Sequence, residues 1–240
     1  MEIIGIGLVI LAASCLQGAI GFGLGMMAAP VLAIIRPDLL PATLILLTVA
    51  LSVAMFLRER TSVDWRIVMW ALIGRIPGVV LGALAVAFLP SAALSLILAA
   101  AVLGGVAFSL VGWKPAPTTG NVMIAGAASG LFGTSTSIGG PPIALVMRSL
   151  APSQIRATIN AYFTFGTAMS LTGLALGGAL TLHHVLAAAW LAPFMVVGLL
   201  LSSLVITRIS SRALFLIGVI ASVLGAAIVI VQAVGALTAG

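Results

Sequence analysis

The 240-residue sequence is 62% apolar and 6% charged, with a mean hydropathy of +1.37, which leaves a water-soluble domain almost nothing to build a surface from. Ten basic residues against four acidic ones give a net charge of +6, too sparse and scattered for a nucleic-acid surface, so the charges read as topology signals of an integral membrane protein. Apolar segments use nearly all the length, which excludes a separate soluble domain, and the lone Cys15 excludes an intramolecular disulfide.

The chain opens on Met1-Glu-Ile-Ile without a basic stretch or a small-residue cleavage pattern, and reads as having no removable signal peptide. Apolar segments follow at 3–35, 39–57, 67–89, 91–112, 120–147, 154–180, 184–206 and 213–236. About 20 helical residues cross a bilayer core, so six of these are predicted as ordinary or tilted spans. The first and fifth differ. A single helix over 3–35 would be about 50 Å long, and Gly18-Ala-Ile-Gly-Phe-Gly-Leu-Gly-Met-Met-Ala-Ala-Pro30 interrupts it. The fifth carries Gly130-Leu-Phe-Gly-Thr-Ser-Thr-Ser-Ile-Gly-Gly-Pro-Pro142. Glycine weakens a helix through backbone entropy, and a proline pair removes two N–H donors, so both segments are expected to break at these stretches. Broken backbone at membrane depth is tolerated only where protein or a watery cavity satisfies it. The breaks are therefore candidate sites for a polar ligand.

The two interruptions match. Gly18, Gly21 and Pro30 recur as Gly130, Gly133 and Pro142, and Pro77 and Gly82 recur as Pro193 and Gly198. Were all eight segments to cross, the basic loop residues would divide almost evenly. With 3–35 and 120–147 as re-entrant hairpins, Arg58, Arg60, Arg66, Lys114, Arg148, Arg156, Arg208 and Arg212 share one side and only Arg36, beside Asp38, falls on the other. That is a strong positive-inside bias. The prediction is an all-α polytopic membrane protein built as an inverted repeat, residues 1–113 and 114–240. Each half is a broken re-entrant hairpin plus three transmembrane helices, with both termini outside and the hairpin tips meeting near the midplane. Matching interrupted segments in two halves point to a transporter's binding site.

Arg75 lies about ten residues into the third segment, where a charge is costly unless it faces a cavity or a partner. Glu2, Asp38, Glu59 and Asp64 all sit at segment ends or in loops, so none is placed to pair with it. An uncompensated cation beside helix N-termini outlines an anion site. The competing reading has Arg75 bonding carbonyls freed by Pro77 and the breaks. Thr134, Ser135, Thr136 and Ser137 are candidate ligand contacts, or they bond the carbonyl one turn back. Gly21, Phe22 and Gly23 form the facing tip. Gln17 and Asn160 belong either to the polar pathway or to interhelical hydrogen bonds. His183 and His184 read as interfacial rather than metal-binding, Arg156 as a topology anchor, and Trp65, Trp70, Trp113 and Trp190 as an interfacial belt.

No zinc-protease, serine-hydrolase or paired intramembrane aspartate pattern occurs, which argues against an enzyme. A secondary carrier, an anion-selective channel with re-entrant loops and a partner-dependent membrane subunit remain. On Gly18-x-x-Gly-Phe-Gly…Pro30 and Gly130-x-x-Gly-Thr-Ser-Thr-Ser-Ile-Gly-Gly-Pro-Pro142, the chain resembles the sulfite exporter TauE/SafE family over essentially its whole length. The resemblance implies a multi-pass permease of the bacterial inner membrane that moves sulfite, a sulfonate or a related organic anion. The expected partners are that anion and lipid, with no cofactor, metal or nucleic acid; a homo-oligomer is left open.

Overall fold

The computed structural model describes residues 2–110 and 115–208, with positions 216, 219–220, 223–228 and 230–231 beyond them. In chain order the helices are α1 (Glu2–Ile20), α2 (Leu24–Ile35), α3 (Ala42–Glu59), α4 (Trp65–Phe88), α5 (Ser91–Leu110), α6 (Thr119–Thr136), α7 (Gly140–Val146), α8 (Pro152–Leu176) and α9 (Leu182–Arg208). Short 3-10 turns at Pro37–Leu39 and Arg60–Ser62 flank α3. Among the described residues there is no strand. Most of the predicted segment 213–236, together with Trp113, Lys114 and Arg212, lies outside the described residues.

Among the described residues three helices, Ala42–Ser62, Trp65–Phe88 and Leu182–Leu204, are long and apolar enough to cross a membrane. α4 and α9 present Ile76, Val80, Leu84, Leu200 and Leu204 outward, a surface suited to lipid. α6 and α8 carry the serines, threonines and glycines, and bury Ser129, Thr134, Thr158, Asn160 and Ser170 inside the bundle.

The first break is a backbone event. Between α1 and α2, Gly21 has φ 93° and Gly23 φ 142°, a region that L side chains seldom enter. The second break is narrower than the sequence suggests. α6 continues through Gly130 and Gly133 to Thr136 and ends at Ser137, which still donates its N–H to the Gly133 carbonyl and then turns the chain out of the helix at a left-handed φ of 67°. Pro141 and Pro142 then stand in the first turn of α7, where no intrahelical N–H bond is lost. The expectation of a break containing all four hydroxyls is corrected accordingly: Thr134, Ser135 and Thr136 form the last helical turn, and Ser137 alone stands in the break. Prolines that start a helix do not interrupt one.

Each broken helix folds back on itself. Ile6, near the start of α1, walls the same cavity as Arg36 and Leu39 beyond α2. Pro117 and Thr119 at the start of α6 share another cavity with Leu150 beyond α7. The Arg36 cavity also holds His183, at the start of α9, and the Leu150 cavity holds Asp64, just before α4. Glycines let the helices close up. An added Cβ at Gly78 would run into the Ala127 carbonyl of α6, and one at Gly198 into the Leu11 carbonyl of α1. Such contacts supply the van der Waals packing that holds helices together in lipid. Contacts Gly74–Met123, Gly78–Ala127 and Gly82–Leu131 advance in step, so α4 and α6 run parallel, as α1 and α9 do.

Candidate anion-binding site

Arg75 is 1% exposed, among the most deeply buried large side chains. It leaves α4 and passes between α6 and α8, where Gly130 and Gly166 leave room for its stem. Nη1 donates to Ser129 Oγ at 3.2 Å and to the Tyr162 hydroxyl at 2.8 Å; Nη2 donates to Ser170 Oγ at 2.9 Å. The Tyr162 ring centroid lies 5.1 Å from Cζ. Nε is buried without a partner. The guanidinium thus rests on neutral hydroxyls rather than on the freed carbonyls that the competing sequence reading invoked.

No carboxylate among the described residues balances it. Glu59 pairs with Arg156 at 3.2 Å, Asp38 with Arg36 at 2.7 Å, and Asp64 caps the N-terminus of α4 through Ile67 N. An ion removed from water costs several kcal/mol even after relaxation, and hydroxyl dipoles recover only part of that. The position is one that a bound anion would complete.

Arg75 also lines a cavity of about 30 Å³ between the two helix breaks, together with Gln17, Phe22, Gly23, Ser137 and Thr167. Gly25, in the first turn of α2, lines the cavity as well, and helix N-termini favour negative charge. The tips touch: a Cβ on Gly140 would sit 2.8 Å from Phe22 Cδ2, and one on Gly25 would strike the Ser137 carbonyl.

Of the residues singled out from sequence, Arg75, Gln17, Phe22, Gly23 and Ser137 are brought to this cavity. Gln17 braces it, accepting from Leu24 N at 3.2 Å and donating to Ser52 Oγ at 3.3 Å. Thr134 shares a 2.7 Å hydrogen bond with Ser170, which also takes Arg75 Nη2. Ser135 and Thr136 donate back to the Leu131 and Phe132 carbonyls. Gly21 packs on Arg156, and Asn160 donates to the Arg156 carbonyl at 2.8 Å with its Oδ1 unpartnered; neither lines the cavity.

Sequence reasoning passed over Ser129, Tyr162 and Ser170. The available signal was the spacing Tyr162, Gly166, Ser170, one residue per helical turn on one face of α8. Arg156, read from sequence as a topology anchor, pairs with Glu59 and packs against Gly21. His183 and His184 hold the loop that follows α2 through the Asp38 carboxylate at 3.1 Å and its carbonyl at 3.0 Å. The Arg36 hydrogen bond, with that of His183 behind it, holds the Asp38 carboxyl below the usual carboxylate range.

The family described as "Sulfite exporter TauE/SafE" matches residues 6–234. The chain belongs to the TauE/SafE family. A relative from Cupriavidus necator, named "Probable sulfite/organosulfonate exporter TauE", is 30% identical over 215 residues, covering 84% of this chain and 83% of its own. No solved structure matches the chain. As a family member this protein is a membrane transporter rather than an enzyme, and the resemblance read from the twin glycine motifs holds.

Proposed function

We propose that this TauE/SafE protein carries a small sulfur-containing or organic anion, such as sulfite or a sulfonate, across the bacterial inner membrane by alternating access. The observation that carries the reading is Arg75, a buried guanidinium with no counter-charge among the described residues, lining a cavity between two helix breaks. The substrate class follows the name of the Cupriavidus relative, and guanidinium suits sulfonate oxygens because it offers parallel N–H donors.

An inverted repeat organises the motion. Equating α1 with α6 and α4 with α9 turns the close pair α4–α6 into the close pair α9–α1, and both pairs occur. The matched breaks meet at one place, as a pseudo-two-fold axis would bring them. Only the first half carries the cation; Leu191 stands in the region of α9 corresponding to Arg75. The cavity is small and its two tips already touch, so in this reading the tips part before the anion enters. This supports a carrier over an open channel. Arg36 lies outside, the other loop arginines inside, and both termini are periplasmic.

In proteoliposomes holding the purified protein alone, labelled alkanesulfonate uptake is expected to saturate, to be accelerated by unlabelled sulfonate inside, and to vanish in Arg75→Gln. Saturating flux without counterflow would make it a channel. Absence of flux until a second polypeptide is added would make it a partner-dependent subunit.

A further inference from the structure

A second cavity lies against the Arg75 cavity, at the end of the bundle that carries Glu59 and Arg156. It measures about 300 Å³; Ile20, Ala144, Leu145 and Ile155 make its wall mostly apolar, and Arg148 and Arg156 supply its charges. Glu59 Oε1 holds Arg156 by its Nε–Nη2 edge, at 3.3 and 3.2 Å, and so fixes that guanidinium beside the cavity. A mostly apolar cleft of this size with a few placed polar groups is the usual form of a small-molecule site.

Phe22 and Pro141 line both cavities, so the wall between them is theirs. Pro141 is locked into the first turn of α7. Phe22 sits between Gly21 at φ 93° and Gly23 at φ 142°, two residues that can change backbone conformation without steric penalty, and it rests on the bare backbone of Gly140. The movable part of the wall is the phenylalanine.

We propose that the larger cavity is a waiting station for an organic anion and that Phe22 is the partition separating it from Arg75. The inference rests on the anion-carrier reading and adds a substrate preference. An alkanesulfonate places its charged head at the arginines and its carbon chain on Ile20, Leu145 and Ile155; an inorganic oxyanion gains nothing from that wall. When the hairpin tip swings, the head passes from the station to Arg75 and the partition closes behind it.

The test uses detergent-purified full-length protein with its single cysteine replaced, Cys15→Ser, and new cysteines placed singly. Ala144→Cys and Ile155→Cys report on the station and Thr167→Cys on the Arg75 cavity. At the station cysteines, an anionic sulfonate-bearing methanethiosulfonate reagent should outpace a cationic one. The rate ratio should be about tenfold higher than in the same proteins carrying Arg148→Gln or Arg156→Gln, as expected for a cleft lined by one charge sign. Propane-1-sulfonate should slow labelling, and sulfate at equal ionic strength should not. Thr167→Cys should be unreactive until Phe22→Ala is added. Lack of a charge preference, equal protection by sulfate, or labelling of Thr167→Cys regardless of Phe22 overturns the proposal. If one station variant fails to fold, the other carries the test. Labelling requires no transport, so native flux through Arg75→Gln would overturn the carrier reading alone, and failed labelling the station alone.

Discussion

Replacing Arg75 by glutamine is expected to move stability and ligand binding in opposite directions. The unliganded protein loses three hydrogen bonds to Ser129, Tyr162 and Ser170, but it also loses the several kcal/mol cost of a buried, unbalanced ion. Ser129 keeps its own bond to the Gly139 carbonyl at 2.6 Å, and Ser170 keeps Thr134 at 2.7 Å, so neither of these hydroxyls is stranded, while the buried Tyr162 hydroxyl loses its Arg75 bond, a cost of about 1–3 kcal/mol that offsets part of the gain. The unliganded melting temperature should therefore stay within about 4 °C of wild type or rise. Binding should fall about ten- to a hundredfold, because charge-assisted hydrogen bonds are worth roughly 1.5–3 kcal/mol. A sulfonate at a hundred times its Kd stabilises wild type by about 2.7 kcal/mol, roughly 5–10 °C in a chain of this size. With affinity a hundredfold weaker, the same concentration gives about 0.4 kcal/mol, roughly 1 °C. Differential scanning fluorimetry with and without propane-1-sulfonate reads both quantities. An Arg75→Gln protein that melts far below wild type yet keeps the full ligand shift would make Arg75 a structural strut and refute the reasoning.

Arg75→Lys keeps the charge but not the planar fork, so about tenfold weaker binding with detectable transport is expected in the same assays. Ser135→Ala and Thr136→Val should leave binding unchanged, because both hydroxyls are bonded to carbonyls one turn back; Thr134→Val should weaken it through Ser170, as sulfonate titrations would show. Gly78→Ala should cost about 1–3 kcal/mol or abolish folding, since its Cβ meets the Ala127 backbone, whereas Gly104→Ala, with nothing within 4 Å, should be neutral or stabilising in thermal melts. The Asp38 carboxyl is held low, so its contribution is complete above the ordinary Asp value of about 4 and fades as pH falls through the lower folded value. With only four acidic residues in the chain, melts should be flat down to about pH 4 and decline below it, with a shallower decline in Asp38→Asn.

Composition and punctuation alone made much of this protein legible. Hydrophobicity fixed the membrane class, because no other environment accepts so apolar a chain, and the glycines and prolines marked the two stretches in which the helices break, because those residues act on the backbone they occupy. Arg75 stood out for the same local reason: a charge deep in a span is costly wherever its neighbours lie. What the sequence left undecided was everything set by partners far along the chain. Four adjacent hydroxyls looked alike, yet helix geometry sends Ser135 and Thr136 to their own carbonyls, Thr134 to Ser170, and Ser137, in its left-handed turn, to the Pro41 carbonyl at 2.9 Å. Tyr162, Ser129 and Ser170 carry no mark of function in one dimension. They meet the guanidinium only because glycine-lined faces bring α4 against α6 and α8, and such a contact depends on the packing of three helices at once rather than on any one segment's preference.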